Sequence, residues 1–370
     1  MTQPDDLLKS IEDIVGERGL LTGEDVSGRP NRSWGQGNCP ARAIVRPAST
    51  AELSQVMRLC SEAGQPVVPW GGLTGLVDAI TCNPEDLVLS LERMHAIEHI
   101  DSEAGPMVVQ AGAVLQNVQE AAEEAGWQFA VDFGARGTAQ IGGMVGTNAG
   151  GNSVVRYGMM REQVLGLEVV LADGTVLSNM NEMLKNNTGY DLKHLFIGSE
   201  GTLGIATRAV LRLRPRARSV QTAFVALDSF ADVAGLLRRL GVELEGKLSS
   251  FEVMWRNFYH FMTEESGKHQ AVLPADHPYY VLLESEGADA QREEEQFMTV
   301  LGALMEEGHV ADAVICQSSQ QAAQLWEMRD EVESLAVAVF PPAIFDISLP
   351  IREMEAYISD LEAALAEKHP

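Results

Sequence analysis

The stretch FGARGTAQIGGMVGTNAGGN, residues 133–152, places glycine at seven positions between Gly134 and Gly151 while charge almost vanishes. Glycine lets a backbone enter positive φ and lets its N–H groups approach a ligand closely, which suits oxyanions such as a pyrophosphate. Two further clusters call for the same explanation: PWGGLTGL at 69–76 and FIGSEGTLGI at 196–205.

Spelling narrows the chemistry. A P-loop ends in Gly-Lys-Ser/Thr, but the Gly-Lys pairs here continue as Gly246-Lys247-Leu248 and Gly267-Lys268-His269. Neither Gly71-Gly72-Leu73 nor Gly142-Gly143-Met144 supplies the G-x-G-x-x-G of a dinucleotide fold. Ser199 has Ile197 where a nucleophile elbow needs glycine. No H-E-x-x-H, EF-hand loop or clustered His/Cys set occurs; His95 and His99 sit four apart in a strand-like or turn context, so no metal site is expected. A chain without these devices, yet rich in phosphate-cradling backbone, draws its reactivity from a bound organic cofactor.

Size and charge bound the rest. At 370 residues two domains are expected. Twenty-seven Lys and Arg against 53 Asp and Glu give a net charge of −26, which repels polyanions and excludes nucleic acid as a partner. The cysteines at 39, 60, 82 and 316 are far apart in sequence and read as reduced thiols. The opening MTQPDDLLKSIEDIVGERG is acidic and amphipathic, unlike a signal or transit peptide, and no apolar run approaches the roughly 20 residues of a membrane span. A cytoplasmic location is the expectation.

Along the chain, ARAIVRP reads as a strand, and STAELSQVMRLCSEAG as a helix capped by Ser49 or Thr50 and stopped at Gly64. Strand, glycine turn and helix recur in PMVVQAGAVLQNVQEAAEEAGW, and VLGLEVVLADGTVLS predicts a hairpin at Asp173-Gly174. In GIATRAVLRLRP, Arg208, Arg212 and Arg214 fall on even positions, either as a salt-bridged strand face or as an anion-facing patch. Beyond Pro215 glycine thins out, and strands VQTAFVAL and YYVLLES with helices SFADVAGLLRRLG and DAQREEEQFMTVLGALMEEG suggest a second, βαβ-like domain.

Taken together, PWGGLTGL, GTAQIGGMVGTNAGG followed by RYG, LGLEVVLADG, NNTGYDLKHLFIGSEGTLGI, LWEMRD and FDISLP resemble, in order, the vanillyl-alcohol-oxidase or PCMH superfamily of FAD proteins. The resemblance is to its D-lactate, glycolate and D-2-hydroxyglutarate dehydrogenase branch. It implies an α+β fold: a two-subdomain PCMH-type FAD-binding domain over 1–215 and an α+β cap, or substrate, domain over 216–370. It further implies that Pro69, Trp70, Gly71, Gly72, Thr74, Gly75 and Leu76 wrap the FAD pyrophosphate and ribityl region together with Gly134, Thr138, Ile141, Gly142, Gly143, Thr147, Asn148, Gly150 and Gly151. Gly201, Gly204 and Ile205 are similar to the segment along the adenine end. Backbone bonds to a charged group contribute roughly 1.5–3 kcal/mol each, so several suffice for tight binding. Relatives with covalent flavin place His or Cys in the first loop; residues 69–78 hold neither, so FAD is expected to bind non-covalently.

LWEMRD resembles the W-x-x-R motif whose arginine holds the substrate carboxylate, which assigns that part to Arg329, against an ion pair with Asp330 or Glu333. The implied reaction is oxidation of a D-2-hydroxy acid to the 2-oxo acid, with hydride passing to the flavin and a base taking the hydroxyl proton. Trp70 and Asp78 depart from the family pattern outside the loop's glycine backbone. Ile344 replaces a lysine found in 2-hydroxyglutarate enzymes, which argues against a dicarboxylate substrate. Relatives also continue into an H-x-x-G-D-G-N-x-H type segment that supplies metal ligands and the base, so the resemblance implies a cap that is incomplete here; His369 matches no such motif. The other readings are an FAD-binding fragment or subunit without turnover, and an FAD oxidase of alcohols or sugars. The electron acceptor is unidentified, and an unfinished cap sheet invites pairing of two copies.

Overall fold

Side-chain alternation along short strands decides how the first part of the chain is layered. In the computed structural model, which describes residues 4–31, 36–339 and 344–368, strands β1 (Leu20–Leu21), β2 (Ala43–Val45), β3 (Val67–Trp70) and β4 (Leu87–Ser90) form a sheet in the order β1-β2-β4-β3. β2 and β3 run parallel to β4. Ala43, Val45, Leu87 and Leu89 face the helices Pro4–Val15 and Thr50–Ala63, while the intervening Ile44 and Val88 join Val26, Trp70, Cys39 and Cys82 on the other side. Both faces are buried, as parallel strands require. The helix Thr50–Ala63 begins where the Ser49 hydroxyl accepts from the Glu52 N–H and ends at Gly64, whose φ of 64° is left-handed. Cys39 and Cys82, distant in sequence, lie with sulfurs 3.5 Å apart, and both are free thiols.

A second sheet is antiparallel throughout. It takes the order β5-β6-β10-β8-β9, with β5 Ile97–Ile100, β6 Pro106–Gln110, β8 Val164–Val170, β9 Val176–Asn179 and β10 Ile205–Arg212. β7 (Trp127–Gln128) pairs separately with β11 (Arg214–Pro215). The β8–β9 hairpin turns through Asp173-Gly174, with Gly174 at φ 82°. Met107, Val109, Leu167, Val169, Ala209 and Leu211 pack against the helices Leu115–Glu124 and Ile141–Thr147. Two arginines of β10 and its continuation are engaged within the fold: Arg208 pairs with Glu98 and Glu168, and the Arg214 guanidinium lies 5.7 Å from the Tyr157 ring. The glycine-rich stretch 133–152 is not a loop along its whole length. Ile141, Met144 and Val145, spaced three and four apart, bury one face and make Ile141–Thr147 helical.

The contacts divide the chain into two compact units, Met1–Arg216 and Ala217–Pro370. The second carries β12 (Ser219–Leu227), β13 (Leu248–Trp255), β14 (Tyr279–Gly287) and β15 (Asp312–Ile315) in the order β13-β14-β12-β15, all antiparallel. The expected βαβ texture is therefore a split one. β12 and β13, joined by the helix Phe230–Glu243, run in the same direction with β14 between them, and β15 returns beside β12 after the helix Ala290–Glu306. Those two helices cover Ala223, Val225, Val281 and Leu283. Phe224, Ala226, Tyr280 and Leu282 on the opposite face pack with Tyr259, Met262, Leu325 and Met328.

Candidate functional site

The three glycine clusters, far apart in sequence, meet in the first unit. A Cβ on Gly72 would sit 2.0 Å from the Thr138 carbonyl oxygen, and one on Gly71 would lie 3.2 Å from Gly143 Cα, so the first two clusters touch backbone to backbone. The third joins them through Gly201, at φ 76°, where a Cβ would be 2.6 Å from the Pro69 ring. Two backbone bonds fasten the third cluster to the second: Gly198 N–H donates to Val145 O (3.0 Å) and Glu200 N–H to Gly146 O (2.8 Å).

Three side chains of these loops bond to protein groups: Thr147 Oγ1 donates to Gly143 O (3.1 Å), Trp70 Nε1 to Ile80 O (2.8 Å), and Asn148 Oδ1 accepts from Arg161 N–H (2.9 Å). By contrast, the N–H groups of Gly72, Leu73 and Thr74 donate to no acceptor among the described residues, and Leu73 sits at φ 58°. Left-handed backbone of this kind turns successive donors toward one side and forms a concavity for an anion. Donors without acceptors beside side-chain-free backbone fit a pyrophosphate-bearing dinucleotide.

The remaining residues singled out from the sequence take different places. Thr74, Gly75 and Leu76 continue the first loop, and Leu76 is exposed. Gly134 opens a short 3-10 turn, and Gly142 donates to Ala111 O (2.6 Å). A Cβ on Gly150, Gly151 or Gly204 would meet Met159, Asp132 or Val169. Ile141 and Ile205 belong to the two cores. Arg161 was missed: its guanidinium donates to His194 O (2.9 Å) and to Ile197 O, tying the second cluster to the third. Only its place next to GMM marked it in the sequence, and that carries no signal of a partner 33 residues away.

In the second unit, Arg329 closes the helix Ser319–Asp330. Its Nε and Nη2 donate to Glu252 Oε2 (3.0 and 2.5 Å) and its Nη1 to Asp330 Oδ1 (3.0 Å). Burial works to lower its pKa, but Glu252 and Asp330 outweigh this and raise it. Next to it, Lys268 and Ser334 hold the Glu331 carboxylate, with His269 behind them, at a pKa of about 2. Burial pushes Cys60 and Cys316 up to about 11 and Cys82 to about 12, so none of these thiols is an activated nucleophile. Among the described residues no group of three His, Cys, Asp or Glu could hold a metal ion, and no helix is long and apolar enough to cross a membrane.

Fold and loops define a PCMH-type FAD-binding protein. Residues 41–179 match the FAD binding domain family, and residues 216–369 match the C-terminal domain of FAD linked oxidases. A solved structure of alkyldihydroxyacetonephosphate synthase superposes at a TM-score of 0.78 with 16% identity, covering 100% of this chain and 76% of that one. A Xanthomonas citri pv. viticola protein named D-2-hydroxyglutarate dehydrogenase is 39% identical over 89% of this chain and 68% of its own. An Oryza sativa subsp. indica protein named "Probable D-2-hydroxyglutarate dehydrogenase, mitochondrial" is 35% identical over 96% of this chain. The chain belongs to this family of FAD-linked D-2-hydroxy-acid dehydrogenases. It spans 64% of the length of the rice relative.

Proposed function

We propose that the protein takes part in oxidising a D-2-hydroxy acid to the 2-oxo acid, with non-covalently held FAD as the hydride acceptor. The observation that carries this reading is the convergence of the three glycine clusters on one backbone surface, with Gly72 against Thr138 and Gly201 against Pro69. Residues 72–74 present N–H donors to the dinucleotide's pyrophosphate, and Arg329 offers a guanidinium to the substrate carboxylate. FAD, when bound, supplies the hydride acceptor that no side chain can. Relatives are named for D-2-hydroxyglutarate, whereas Ile344 brings no charge toward a second carboxylate. The electron acceptor, pairing of two copies and a cytoplasmic location belong to the same proposal; the rice relative's name carries "mitochondrial".

The test is anaerobic. The purified chain is loaded with FAD and mixed with D-2-hydroxyglutarate, D-lactate, L-lactate or glycolate, and the flavin absorbance is followed. Bleaching by a D-acid supports the dehydrogenase. Bound flavin that none of them reduces supports a flavin-binding piece that needs another segment or chain for turnover. A folded protein that takes up no FAD rejects both.

A further inference from the structure

Trp326 and Arg329 stand three apart on the helix Ser319–Asp330 and so share a face. Each reaches a carboxylate on the sheet beneath. Trp326 Nε1–H donates to Glu284 Oε1 on β14 (2.7 Å), where Thr222 Oγ1 from β12 also donates (2.7 Å). Arg329 reaches Glu252 on the neighbouring β13. The register pairs Ser250 with Glu284 and Glu252 with Leu282, which puts the two carboxylates on one side of the sheet, one step of the alternation apart. The tryptophan and arginine are thus two anchors of one helix on two strands.

A guanidinium has five N–H groups. Among the described residues three of them have acceptors, Nε–H and one on Nη2 in Glu252 and one on Nη1 in Asp330. Among the described residues, one N–H on each of Nη1 and Nη2 has no acceptor, and these two donors are left for an incoming carboxylate. An arginine with four rotatable bonds would otherwise present them in many directions.

We propose that Glu252 is a positioning residue: it holds the inner edge of Arg329 so that the outer edge faces a 2-hydroxy-acid carboxylate. The proposal rests on the reading of Arg329 as the carboxylate clamp. Glu252 acts as an acceptor oxygen, and its charge opposes the incoming anion, so the two properties separate on substitution. Glu252→Ala removes both; Glu252→Gln keeps the oxygen and removes the charge.

The FAD-loaded 370-residue chain and its E252A, E252Q and R329A variants are titrated calorimetrically with oxalate, an unreactive 2-hydroxy-acid mimic, with flavin content and thermal unfolding recorded alongside. E252A is expected to bind about tenfold more weakly, within the range of couplings inside one ion-pair network. E252Q is expected to bind as tightly as the parent or tighter, a direction that a merely structural role does not produce. If E252A binds like the parent while R329A does not, or if E252Q loses as much as E252A, Glu252 does not position the arginine. If the parent takes up no oxalate, or R329A binds as well as the parent, it is the clamp reading that fails.

Discussion

In the proposed function, the glycine surface of the first unit and the Arg329 cluster of the second would recognise anions in opposite ways. The first uses main-chain N–H groups fixed by loops so tightly apposed that Gly72 has no room for a methyl group. The second uses one long cationic side chain whose direction is set by Glu252 and Asp330. Backbone donors cannot be moved without moving the chain, so they suit an invariant ligand. A braced side chain can be retuned by a single substitution, which suits a substrate that differs between relatives.

Breaking the backbone solution has the largest expected effect. In Gly72→Ala the new Cβ meets the Thr138 carbonyl at 2.0 Å, and main chain cannot step aside as a flexible side chain can. Overpacking of this sort costs about 1–3 kcal/mol or more. Purified G72A is expected to carry little flavin and to unfold several degrees lower, by absorbance and calorimetry. Gly75→Ala is its counterpart, since nothing lies within 4 Å of a Cβ there; parent-like flavin content in G72A, or equal losses in both, would break the distinction.

Breaking the side-chain solution is expected to leave the cofactor alone. Arg329→Ala should raise KM for the reducing acid by about 10- to 100-fold, the size of a lost charge-assisted bond, while flavin content stays at the parent level. Loss of flavin from R329A would mean that the two sites are not separable in this way.

The smallest effect sharpens the picture of how Arg329's surroundings are held. Glu331 follows Asp330 directly, and Lys268 and then Ser334 lower its pKa to about 2, below the value near 4.3 of an unfolded glutamate. The sign follows from that depression. The stabilisation is present above pH 4.3 and fades as pH falls from there toward 2. Replacing Glu331 by Gln should therefore lower the melting temperature slightly at pH 6 and by less and less as pH falls through 4.3 toward 2; a difference that stays the same size over that range would point to packing instead.

Much of the fold was legible because the relevant signals are local. The Ser49 cap and Gly64 stop, the Asp173-Gly174 hairpin and the strand–turn–helix rhythm of 106–126 all act within a few residues and appear as read. The second unit's sheet was harder. Patterning gives strands and helices but not their neighbours, and β14 inserts between β12 and β13 to turn an expected βαβ arrangement into a split one. For the site, the glycines identified the material but not its arrangement. Thr147 and Asn148 read as ligand-contacting polar residues, and only the structure shows that Thr147 Oγ1 donates to Gly143 O and that Asn148 Oδ1 accepts from Arg161 N–H.

By itself the sequence determined which backbone could be left bare and which local motifs it does not spell, because glycine spacing and motif spelling are properties of neighbouring residues. Only the tertiary structure decided that Gly71 and Gly72 touch 138–143, that Gly201 closes on Pro69, and that Arg329 is braced by a glutamate 77 positions away. These contacts join segments whose proximity no local pattern encodes, since it follows from how the sheets pair and which faces they bury.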